Sequence, residues 1–170
     1  APVWPTIDGY VLPESFDDAA LNNNLAHVDY MIGYTMHDLG RMAEEISDFC
    51  LNREEFGDKA WAYEFARPLP DDGSHPEVTS QLKGAFHSSD LWFVFKSLKN
   101  CWRPWTEGDW DLSEKMLTAW TNFAKYGNPN GANDGEWAPY TKANPKFMVF
   151  RLDENDAEAS YVGDPIVAKR

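Results

Sequence analysis

The chain has 170 residues, 43% of them hydrophobic and 15% aromatic, with eight tryptophans and a formal charge of -13. That is enough chain for a single domain over 1–170, and too many large rings for a disordered segment. The acidity argues against nucleic acid or an anionic membrane surface as a partner, because phosphates are repelled where there is no basic patch.

Two cysteines, Cys50 and Cys101, occur without a Cys-x-x-Cys. Neither a disulfide scaffold nor a thiolate zinc site is indicated, and a reducing, cytoplasmic compartment is the expectation. No apolar run approaches the ~20 residues of a membrane span, and the first ten residues lack the basic and apolar blocks of a secretory signal. No membrane partner is expected.

Along the chain, residues 1–27 read as an extended N-terminal segment, punctuated by Pro2, Pro5 and the turn signal Asp8-Gly9. Residues 28–32 form a short apolar run ended by Gly33, which predicts a buried strand entering a turn. Weak helical spacing follows over 39–51. Trp61, Tyr63 and Phe65 then alternate with Ala60, Ala62, Glu64 and Ala66, so a strand is predicted with rings on one face and a helix packed on the alanine face. Pro68 and Pro70 end it, and 71–83 is a polar loop with His75 exposed.

From Asp90, the residues Leu91, Trp92, Phe95 and Leu98 recur at helical spacing, with Ser88, Ser89 or Asp90 placed to cap the first turn. The clearest helix is 113–126, with Asp111 and Glu114 at its start, one apolar stripe through Met116, Leu117, Trp120, Phe123 and Ala124, and Gly127 and Pro129 at its end. A last strand is predicted at 147–152. The sheet and helices therefore occupy 28–152, and 153–170 reads as an acidic, exposed C-terminal tail.

Among the four histidines, His87 has the setting a general base needs, in a loop ahead of a helix and beside the small residues Gly84 and Ala85. Local context leaves it open between that role and an ordinary loop histidine. Asp38, shortly after the first strand, is either a carboxylate that orients an imidazole or a helix cap. His37 and His27 lack the helical pairing of a metal site, so no metal or other cofactor is expected. Ser88 and Ser89 are the hydroxyls nearest His87 but sit in no glycine-flanked elbow, and no Gly-x-Ser-x-Gly occurs in the 170 residues. Trp92, Phe93, Trp102 and Trp105 read either as core or as the wall of an apolar pocket.

Taken together, several runs resemble, in order, the C-terminal half of type-B carboxylesterases, the cholinesterase and para-nitrobenzyl-esterase-like branch of the α/β-hydrolase fold. They are Asp8-Gly9 after Pro5, Gly33-Tyr34-Thr35-Met36-His37-Asp38, Gly84-Ala85-Phe86-His87-Ser88-Ser89-Asp90-Leu91, Leu112-Ser113, and Trp120-Thr121-Asn122-Phe123-Ala124-Lys125 with Gly127-Asn128-Pro129-Asn130. The resemblance implies an α/β fold with a few-stranded, mainly parallel sheet and flanking helices, lacking the N-terminal half of the sheet.

By the same resemblance, His87 matches the triad histidine and Asp38 the position of the triad acid, usually a glutamate in an Asp-Glu-Gly run; Glu44 and Glu45 are the alternative acids. The activity implied is hydrolysis of a small-molecule carboxylic ester by a serine that lies outside this chain, as does the oxyanion loop. The implied partner is an N-terminal esterase half. The alternative is a non-catalytic, truncated module that self-associates. The 49 residues from Asp38 to His87 are fewer than the family's usual interval.

Overall fold

A computed structural model describes residues 5–38, 42–133, 135–152, 161–162 and 165–167. The elements in chain order are α1 (Phe16–Leu21), β1 (Tyr30–Thr35), α2 (Met42–Glu55), β2 (Ala60–Phe65), α3 (Leu91–Val94), α4 (Glu107–Tyr126), β3 (Lys146–Leu152), β4 (Tyr161–Val162) and β5 (Pro165–Val167). β1, β2 and β3 run parallel in that order, and β4 and β5 return antiparallel on β3. The fold is α/β with helices on both faces of a mainly parallel sheet.

Side-chain alternation builds the two faces. Trp61 and Phe65 of β2 share one cluster with Met148, Phe150 and Leu152 of β3, Phe93 of α3, and Leu112 and Met116 of α4. Ala60 and Ala62 point the other way and admit Ile46, Phe49 and Cys50 of α2, the helix expected on the alanine face. Tyr63 stands edge-on to Trp120 at a centroid distance of 4.9 Å, and Trp61 to Phe123 at 5.8 Å. Such pairs add about 0.5–1.5 kcal/mol each beyond the area they bury. The buried indole N–H groups are satisfied as well: Trp61 donates to the Trp137 carbonyl at 3.0 Å, and Trp137 to that of Ala62 at 3.2 Å.

Several boundaries differ from the expectation. The 1–27 segment contains α1, capped by the Ser15 hydroxyl on the Asp18 N–H. Gly33 does not start a turn; it lies inside β1, where a Cβ would come 2.4 Å from the Tyr63 carbonyl oxygen across the strand pair. The helix expected from Asp90 is a single turn, because Lys96 takes a positive φ of 50°. Asp90 makes no side-chain cap bond there.

α4 begins earlier than its apolar stripe, at a capping box in which Thr106 and Asp109 each bond the other's backbone. Gly127, at φ 65°, closes it in the left-handed conformation. The 153–170 stretch is in part sheet, since β4 and β5 both pair with β3. Leu39, at the start of the expected 39–51 helix, lies outside the described residues.

Cys50 is fully buried, and burial pushes its thiol up to about 12. A thiol-reactive chromophore is expected to label Cys101 in the folded chain and Cys50 only after denaturant is added. Two fast-reacting thiols in native buffer would contradict this.

Candidate active site

Asp38 and His87 are brought together by parallel neighbours. Asp38 lies three residues beyond β1, and His87 lies in the loop that leaves β2 and enters α3, so both sit at the carboxyl end of the sheet. Ligand sites of open α/β sheets gather at that end. The β1–β2 pairing continues past the strands through the Met36 N–H on the Phe65 carbonyl, and it resumes as an isolated bridge between His37 and Phe86. Between these points the chain makes the 70–83 excursion. Arg103, itself buried, staples the two ends of that loop by donating to the Pro70 carbonyl at 2.9 Å and the Leu82 carbonyl at 2.7 Å.

The result is a direct contact. His87 Nδ1 lies 2.9 Å from Asp38 Oδ1. The carboxylate side chain is 14% exposed and the imidazole 66%, so the acid is sheltered and the ring faces solvent. Thr35 donates its hydroxyl to Asp38 Oδ2 at 3.3 Å, and the Asp38 N–H bonds the Thr35 carbonyl at 3.0 Å. An aspartate therefore reaches the imidazole despite being one methylene shorter than glutamate. Glu44 and Glu45 lie exposed on the first turn of α2.

Behind the pair, Asp90 is buried. Burial pushes its carboxyl above the usual carboxylate range and the Asp38 charge adds to this, while the Tyr63 hydroxyl, at 3.4 Å, opposes it. Sequence reasoning weighed Asp90 only as a cap.

Ser89 is fully buried, with its hydroxyl unpartnered, and is closed to an ester. Ser88 is exposed and holds φ at 69°, a conformation that costs a non-glycine residue about 1 kcal/mol. Ser88→Gly is accordingly expected to raise stability by up to about 1 kcal/mol, or about 2–4 °C in Tm, in a thermal melt. An unchanged or lower Tm would refute it.

Of the four rings weighed as core or pocket wall, Phe93 is fully buried and packs on Phe65 at 5.0 Å and Trp105 at 5.6 Å. Trp92 and Trp105 pack against the same cluster. Trp102 is on the surface, packed at a tilt against His75 with ring centroids 3.8 Å apart and with Arg103 above it at 5.1 Å. His27 contacts Asp58 at 3.0 Å.

A family model described as "Carboxylesterase family" matches residues 43–164. The chain belongs to the carboxylesterase family. Among carboxylesterase-family relatives, bile salt-activated lipase of Rattus norvegicus is 32% identical over 93 residues, 53% of this chain and 14% of that protein. Acetylcholinesterase of Leptinotarsa decemlineata is 28% identical over 130 residues, 66% of this chain and 20% of the relative. The chain thus spans a small part of the length of both. A PNB esterase structure superposes with a TM-score of 0.64 at 18% identity, covering 95% of this chain and 41% of that one, which establishes the α/β-hydrolase fold.

Proposed function

We propose that this chain supplies the base and the acid of a serine carboxylesterase, and that the nucleophilic serine and the oxyanion donors come from outside these 170 residues. The observation that carries the reading is the 2.9 Å contact between His87 Nδ1 and Asp38 Oδ1, on an imidazole side chain that is 66% exposed. The carboxylate holds the imidazole proton on Nδ1, which leaves the lone pair on Nε2.

A serine hydroxyl brought to Nε2 would lose its proton to His87 as it attacks the ester carbonyl. His87 would pass that proton to the departing alcohol, and water would release the acid from the acyl-enzyme. Asp38 stays ionised throughout and stabilises the imidazolium. No step calls for a metal or an organic cofactor.

The sheet supports a partner half. Among the described residues β1 pairs only with β2, and a groove of about 500 Å3, lined by Phe16, Leu21, Ile32, Ile46 and Phe49, lies beside it. Met36, Leu91 and Phe95, close to the dyad in sequence, are exposed apolar side chains. An open strand edge beside uncovered apolar surface is a pairing site. The same edge also favours a second reading, a non-catalytic module that associates with its own copies.

Mixing the chain with an N-terminal carboxylesterase half that carries a Gly-x-Ser-x-Gly separates the two. Hydrolysis of p-nitrophenyl acetate should appear only in the mixture and vanish with His87→Ala. A stable but inactive assembly would favour the module.

A further inference from the structure

A second imidazole lies between the two loops that carry the dyad, and its hydrogen bonding is reciprocal. His37 donates its backbone N–H to the Ala85 carbonyl at 2.9 Å, and the Ala85 N–H returns a bond to His37 Nδ1 at 3.0 Å. A backbone amide can only donate, so Nδ1 must hold a lone pair and the neutral ring carries its proton on Nε2. Gly84 passes against the same ring, where a Cβ would come 2.7 Å from Nδ1. Ala85 is fully buried and stands two residues before His87; His37 is the residue before Asp38.

We propose that His37 is a positioning residue whose Nδ1 clasps the Ala85 backbone and thereby fixes the separation of Asp38 and His87. The inference rests on the reading of those two residues as a catalytic dyad. The β1–β2 ladder ends at Met36 and Phe65, and the chain then leaves on the 70–83 excursion before returning at Gly84. Past the ladder, residue 85 is placed relative to residue 37 by the isolated His37–Phe86 bridge and by the two His37 bonds.

Among the described residues, the backbone contact between the loops is confined to this one bridge, which acts as a pivot. Two bonds, made in opposite directions by one residue, define a plane and remove the rotation. The tolerance is small, because a side chain as short as aspartate has little reach to spare and a hydrogen bond weakens steeply once rotation takes its angle below about 120°. The partner of His37 Nδ1 is a backbone amide and not a side chain.

The test is 15N NMR of the imidazoles in the full chain, read at a pH where His87 is neutral, together with hydrogen exchange of the Ala85 amide. A free imidazole side chain favours the proton on Nε2, whereas a carboxylate at Nδ1 draws it there. In the unaltered chain His87 is expected as the Nδ1–H tautomer, with a protected Ala85 amide. His37→Phe keeps a ring but loses the acceptor; it should move His87 toward the Nε2–H tautomer and speed Ala85 exchange by about tenfold, the weight of one hydrogen bond. His37→Asn places an oxygen where Nδ1 stood and should restore both signals. His37→Ala is read the same way should the Phe variant not fold.

An unchanged His87 tautomer in His37→Phe or His37→Ala would overturn the clasp and leave the dyad standing, as would equal loss in His37→Asn. An Nε2–H tautomer at His87 in the unaltered chain would overturn the dyad itself.

Discussion

Asp38→Asn is expected to lower the turnover of the assembled esterase on p-nitrophenyl acetate by about four orders of magnitude, with little change in the affinity between the two parts. The substitution keeps the shape of the side chain. It removes the charge that stabilises the imidazolium, and its amide group can donate to Nδ1, which places the ring proton on Nε2 and blocks the nitrogen that must accept from serine. A stopped assay on mixtures with matched assembly, checked by gel filtration, measures the effect. His87→Ala should cost at least as much, and the two changes together no more than the larger one, because they act as a unit. A loss below about tenfold in Asp38→Asn would assign the carboxylate to structure instead.

Asp109→Ala is expected to destabilise the fold by about 3–5 kcal/mol in urea denaturation. Its carboxylate is fully buried and accepts from Arg67 Nε at 2.7 Å and Nη2 at 3.1 Å, and also from the Thr106 N–H and hydroxyl, each at 3.0 Å. Arg67 follows β2 by two residues, so the pair ties the end of the central strand to the first turn of α4. Removing the acid leaves a guanidinium with only 19% of its side chain exposed and no counter-charge from Asp109, and it also dismantles the capping box. That is a large share of the ~5–15 kcal/mol by which a domain is stable. Glu107→Ala, on the same turn but exposed, should change stability by no more than about 0.5 kcal/mol, which controls for helix propensity. Equal effects at 107 and 109 would mean that the ion pair contributes nothing.

Periodic patterns translated well into structure where a single face decides the outcome. The ring-and-alanine alternation at 60–66 describes a strand buried on both faces, and the spacing before Gly127 describes a long helix with a left-handed end. Both follow from local geometry, with period two for a strand and about 3.6 for a helix. Boundaries were less legible. α4 starts at Glu107, behind the Thr106 cap, because a capping box is a hydrogen-bond pattern between residues three apart, whereas the apolar stripe read from the sequence begins only at Met116. α3 stops after one turn because Lys96 adopts a positive φ, which no hydrophobic pattern encodes. Gly33 read as punctuation, but its role is set by Tyr63, thirty residues later.

His87 and Asp38 stand out in the sequence only through the family motifs they lie in, since neither is distinctive alone. Distances were not legible. The separation of 49 residues says nothing about the 2.9 Å between their side chains, which depends on parallel pairing of β1 with β2 and on the His37–Ala85 bonds past the strand ends. The roles of Asp90, Arg103 and Asp109 were hidden for the same reason. Each acts through a partner far along the chain, so its environment exists only once the loops are folded against each other.

What the amino-acid order alone determined is the chemistry available: an imidazole, a carboxylate, no glycine-flanked serine, and apolar periodicities sufficient for strands and helices. What only the tertiary structure decided is which carboxylate meets which nitrogen, which serine is sealed in the core, and which strand edge is unpaired among the described residues. Side-chain periodicity is a property of neighbours in sequence, whereas proton transfer depends on tenths of an ångström between residues that the sheet, and not the chain, makes neighbours.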